Sequence, residues 1–123
     1  MVFKGHPIIT VRLPVTTGAV ASDMLFTRNG AAYNGSVKVM GFDLVFSSAP
    51  ASENIVFSLL DSNGDIVRSD GVDPSKNLSL NVSLSCNEWY LDSNGGKVTV
   101  AYPNTGDVIS QIIMNWHPVE EIR

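Results

Sequence analysis

The chain has a single cysteine, only eight lysines and arginines in 123 residues, and no apolar run long enough to cross a bilayer. Each shortage removes a class of protein. With Cys86 alone, neither an intrachain disulfide nor a cysteine-based zinc site can form, which suits a reducing compartment. The basic residues are scattered and the formal net charge is −4, so the positive patch that nucleic acid or an anionic membrane surface requires is missing. Nucleic acid and membrane are not expected as partners. The opening MVFKGHPIIT lacks the long apolar core of a secretory signal, and the N-x-S matches at Asn34, Asn77 and Asn81 are therefore expected to be unglycosylated.

Catalytic signatures are also lacking. There is no G-x-S-x-G, no Gly-rich phosphate loop between a strand and a helix, and no H-E-x-x-H. The two histidines, His6 and His117, each precede a proline, and adjacent terminal strands would bring them together. A site there would need Glu120 or Glu121 as its carboxylate, and the spacing gives that no support. No enzyme activity, cofactor or metal is expected.

What is present is alternation. Leu78, Leu80, Val82, Leu84 and Cys86 alternate strictly with Ser79, Asn81, Ser83 and Ser85, the period of a strand with one apolar and one wet face. Cys86 falls on the apolar face, as a small inert hydrophobe. PIITVRLPV places Ile9, Val11, Leu13 and Val15 on one side, with Pro14 marking an edge or a strand end. In SVKVMGFDLVF the apolar parity is odd at Val37 and Val39 but even at Phe42, Leu44 and Phe46, so a β-bulge is expected at Met40 and Gly41. NIVFSLL, GKVTVAY and DVISQIIMNW complete about eight strands at regular spacing, with no convincing helix. The length fits one domain with a sizeable core. The expectation is an all-β, jelly-roll-like antiparallel sandwich over residues 7–123, preceded by an arm over residues 1–6.

The string LDSNG occurs twice, starting at Leu60 and Leu91, but the flanks NIVFSL and SCNEWY share almost nothing. A duplication is therefore not expected. Asn-Gly flanked by Asp and Ser supplies the positive φ and side-chain bonds of a tight turn, so both copies read as hairpin turns. Asp61, Asn63 and Asp65 imitate the opening of a calcium loop. Ile66 and Val72, however, stand where its glycine and bidentate glutamate belong. Among the aromatics, Trp116 reads as a core cap. Trp89 and Tyr90 read either as core caps or as an exposed platform for a sugar or another protein.

Taken in order, VRLPVTTGAVASDMLFTRNGAAYNGSVKVMGFDLVFSSAPASENIVFSLLDSNGDIV resembles the front half of small jelly-roll capsid decoration, or cement, proteins of tailed bacteriophages. The segment Asp23, Met24, Leu25 and Phe26 matches their D-x-L-F stretch, followed by a Gly-rich turn and a long strand; TRNGAAY departs from the proline-containing turn expected there. The resemblance covers most of the chain in order and spacing, through loose motifs. It implies a structural virion protein on the capsid surface, made in the bacterial cytoplasm, with the major capsid protein of the shell as partner. The low charge, the apolar MVF and the end-lying aromatics suit self-association, and the three-fold sites of an icosahedral shell place a trimer ahead of a dimer. Residues expected at the partner interface are Met1, Val2, Phe3 and Lys4 of the arm, together with Trp89 and Tyr90. A carbohydrate- or receptor-binding module using Trp89 and Tyr90 is the alternative, and a small cupin-like enzyme a weaker third.

Overall fold

A computed structural model describes residues 8–75, 77–84, 89–91 and 96–119. Among them no residue is helical, and eleven strands follow one another. They are β1 (Ile9–Arg12), β2 (Val20–Leu25), β3 (Thr27–Arg28), β4 (Ala31–Ala32), β5 (Ser36–Phe46), β6 (Ile55–Leu60), β7 (Ile66–Val72), β8 (Ser79–Ser83), β9 (Tyr90–Leu91), β10 (Lys97–Tyr102) and β11 (Ser110–Val119). Eight have four residues or more, as the alternation implies, and three are two-residue pieces. Two sheets carry the sandwich: β1-β11-β5-β8, with β9 also paired to β5, and β2-β10-β6-β7. All recorded pairings are antiparallel. Most consecutive long strands therefore alternate between the sheets.

The core lies between the sheets. Apolar side chains of alternate residues meet there, and three aromatic pairs bridge the layers from one end to the other. Phe42 of β5 stacks on Phe57 of β6 at 3.9 Å, Phe46 meets Tyr102 of β10 at 6.2 Å, and Trp116 of β11 meets Phe26 edge-on at 5.2 Å. Such pairs add to simple burial because ring edges and faces attract. Trp116 is fully buried and Tyr33 leans on it at 5.5 Å, so it is a core residue as expected.

The expected bulge is present. Asn115 pairs with Gly41 and Trp116 with Val39, leaving Met40 as the extra residue of β5. That insertion turns Val37 and Val39 on one side of it, and Phe42, Leu44 and Phe46 on the other, all into the core. Gly41 is needed there because a Cβ would run into the Val82 carbonyl oxygen of β8. Pro14 follows the end of β1, an edge strand, again as expected. The most regular alternation in the sequence, Ser79–Ser83, is also an edge strand: Leu80 and Val82 are half-buried and Leu78 is 56% exposed. Strict alternation therefore reports one wet face and not depth of burial.

The first LDSNG is a hairpin turn between β6 and β7. Gly64 N–H donates to the Asp61 carbonyl at 3.0 Å, and Asp61 N–H donates to the Asp65 carbonyl. Asp61 Oδ1 accepts the Asn63 and Asp65 N–H groups at 2.9 and 3.0 Å. Positive φ falls on Gly64 and not on Asn63. The second LDSNG is not a hairpin turn. Leu91 ends β9, which pairs with β5, whereas Lys97 begins β10 in the other sheet. The residue types are the same in both strings, but the strands flanking the second belong to different sheets. Residues 92–95 themselves lie outside the described residues.

Candidate functional site

The outer face of the five-stranded sheet brings the most surface chemistry together. Side chains that alternate away from the core on β1, β11, β5 and β8 form a hydrogen-bonded row across the sheet. Thr10 Oγ1 donates to Asn115 Oδ1 at 3.2 Å, and Asn115 Nδ2 donates to Asp43 Oδ2 at 2.8 Å. Asn81 Nδ2 donates to Asp43 Oδ1 at 2.6 Å. Register explains the row: Thr10 lies opposite Asn115 and Asp43 opposite Asn81. Asn115 lies opposite Gly41, diagonal to Asp43 and within side-chain reach. Beside the row an open hollow of about 380 Å³ is lined by Ile8, Met40, Gly41, Asn81, Val82, Ser83 and Asn115.

The two ends of this face differ. At one end His117, Lys38 and Tyr90 sit opposite one another on β11, β5 and β9, and with Val119 they line a hollow of about 370 Å³. His117 Nδ1 lies 2.9 Å from the Pro118 carbonyl oxygen. At the other end the exposed Val15, Val45 and Ile109 form an apolar patch around a smaller hollow of about 220 Å³. The whole is a polar band between a mixed aromatic–basic end and an apolar end. Amides and a carboxylate that already satisfy one another can recognise a partner through their remaining lone pairs and N–H groups. Among the described residues, no three His, Cys, Asp or Glu side chains converge as a metal would need.

Trp89 does not form an exposed platform. It is 3% exposed and meets Phe42 edge-on at 5.9 Å, so of its two readings the core reading holds. Strand alternation explains this, since Trp89 and Leu91 point inward and Tyr90 outward, half-buried. The structure therefore separates the pair that the sequence places side by side. Met1, Val2, Phe3, Lys4, His6, Cys86, Glu120 and Glu121 lie outside the described residues. The sequence reading missed the row of Thr10, Asn115, Asp43 and Asn81. Its one local signal is that all four occupy outward positions in strands, while their adjacency is created by pairing between distant segments.

The buried polar residues serve the fold. Asn104, with φ of 50°, donates through Nδ2 to the carbonyls of Thr17, Gly18 and Val108, and its Oδ1 accepts the Val108 N–H. It ties three stretches of loop together at one end of the sandwich. The buried Tyr102 phenol has its pKa raised, first by desolvation and then by the negative charge of Glu53. At the surface, Asp73 is held below its ordinary range, first by the Ser75 N–H and then by the Ser52 hydroxyl. No protein-family model, curated protein or solved structure matches the chain.

Proposed function

We propose that the chain is a structural virion protein, a capsid decoration or cement protein that binds and stabilises the outer surface of a phage shell, without enzymatic activity. Two lines support the reading. The first is the resemblance of the residue 11–67 stretch to such proteins. The second is topology: counting the eight longer strands in order, the sheets run 1-8-3-6 and 2-7-4-5, an order that supports the jelly-roll reading.

The observation that carries the reading in the structure is the outer face of the five-stranded sheet. A protein that bridges shell subunits needs a broad, firm, mostly polar contact surface and no deep cleft. The Thr10–Asn115–Asp43–Asn81 row spans four strands and is held by the sheet beneath it, with exposed apolar residues at one end. The rival carbohydrate- or receptor-binding reading retains Tyr90 beside Lys38 and His117 but loses Trp89 to the core.

Cryo-electron microscopy of native particles that contain the chain tests the proposal. Density for the sandwich on the outer shell supports it. Density confined to a tail or fibre, or binding on a glycan array that Tyr90→Ala abolishes, replaces it with the rival.

A further inference from the structure

We infer that β7 is a self-complementary edge through which two copies of this chain pair about a two-fold axis at Ser69. β7 stands apart from the other edges of the sandwich. Six of its seven residues are exposed and Val72 is partly buried, whereas β1, β2 and β8 alternate between more and less covered positions. Among the described residues β7 pairs on one side alone, with β6. Its other side offers main-chain N–H and C=O groups to an incoming strand. Such edges are normally blunted by proline, lysine or inward-pointing charge.

β7 has neither proline nor lysine, but it does carry charge on the core-side face. Arg68 and Asp70 pair with Leu59 and Phe57, whose side chains enter the core, yet both charged residues are exposed because the opposite sheet does not cover this edge. Arg68 spends one guanidinium N–H on the adjacent Val67 carbonyl at 3.4 Å. These charges oppose most incoming strands. One strand complements them: in antiparallel register about Ser69, Arg68 faces Asp70 of the second copy and Asp70 faces its Arg68. Val67 faces Gly71 in the same register, and Ser69 faces itself.

Opposite charges directly across an antiparallel pair attract and like charges repel, so this register is selected over its neighbours. The occupant is a second copy of the chain because the pattern read forwards complements the same pattern read backwards. The bulge at Val67, between the Leu59–Arg68 and Leu60–Ile66 pairs, confines regular pairing to residues 67–71. The product is an isologous dimer in which two four-stranded sheets join through a short seam. It is a dimer, in contrast to the trimer expected first from sequence.

A seam this short buries less than the ~1,200 Å² of a standard interface, so a dissociation constant between about 1 μM and 1 mM is expected. Sedimentation of the intact chain over that range tests it. The wild type should shift from monomer to dimer. Arg68→Asp and Asp70→Arg, each placing like charges opposite one another at both symmetry-related positions, should raise the dissociation constant at least about tenfold. The double exchange Arg68→Asp/Asp70→Arg should restore it, and circular dichroism should show all three variants folded. In a Cys86→Ser background, which leaves no other thiol, Ser69→Cys should form an intermolecular disulfide on oxidation. A wild type that is monomeric at ~1 mM or that forms a trimer overturns the inference. So does a dimer indifferent to single reversal, or a double exchange that fails to restore association.

Discussion

Asn104 shows how one side chain can secure a region that has little regular structure. It sits in the left-handed conformation that asparagine tolerates and satisfies four main-chain groups from the 17–18 and 108 segments. Asn104→Ala leaves buried carbonyls and an N–H without their partner and should cost about 3 kcal/mol in urea unfolding. Asn104→Asp keeps the acceptor, loses the donors and buries a charge, so it should cost at least as much. Nothing local in the sequence shows that Asn104 reaches carbonyls more than eighty residues away. Tyr102 gives a pH-dependent counterpart. Because the folded phenol has its pKa raised above the usual 10.0, the native state holds its proton more tightly than the unfolded chain. Its contribution is full below about pH 10 and is lost as pH rises through the folded value. Thermal melts of wild type should therefore fall above that pH, and Tyr102→Phe should flatten part of the decline. An unchanged slope in the variant would assign the decline to other groups.

At the scale of elements, the two LDSNG strings separate what is locally encoded from what is not. In the first, Asp61 caps two N–H groups and Gly64 takes φ of 84°, so the turn is fixed by its own residues. Asp61→Ala and Gly64→Ala should each destabilise the chain by about 1 kcal/mol, whereas Asn63→Ala, which removes neither the cap nor the positive φ, should cost less. Added calcium should leave the melting temperature unchanged, since Asp61 Oδ1 is committed to the turn; a calcium-dependent rise would restore the metal reading. The second string has the same residue types, but β9 and β10 belong to different sheets. The bulge in β5 was legible because the switch of apolar parity at Met40 and Gly41 records a physical constraint on one strand. Sheet membership was not legible for β9, since it depends on which distant strand supplies the partner. Trp89 and Tyr90 illustrate the same limit at a distance of one residue: alternation sends one inward and one outward, and only the pairing of Tyr90 with Lys38 and of Leu91 with Val37 determines which.

At the scale of the whole molecule, the sandwich has one core, stitched between layers by the Phe42–Phe57 stack. Phe57→Ala should therefore cost about 3–5 kcal/mol and shift the single cooperative transition without splitting it. The candidate face was the part least visible in sequence, because Thr10, Asp43, Asn81 and Asn115 meet only once four distant strands pair. Among the described residues the first buried member of the core is Leu13, with Ile9 and Val11 packed against it. Removing residues 1–5 should leave the melting temperature within about 2 °C of wild type. If the chain is a cement protein whose Phe3 enters a pocket on the shell, the truncated form should nevertheless occupy that shell poorly. The sheet face makes a separate contribution: Asp43→Lys, which replaces the acceptor of both amides with a cation, should weaken occupancy while the arm is intact. Shell occupancy measured for both variants by gel densitometry of purified particles distinguishes the two contributions. Full occupancy by the truncated form removes the arm from the interface, and full occupancy by Asp43→Lys removes the outer face of the five-stranded sheet.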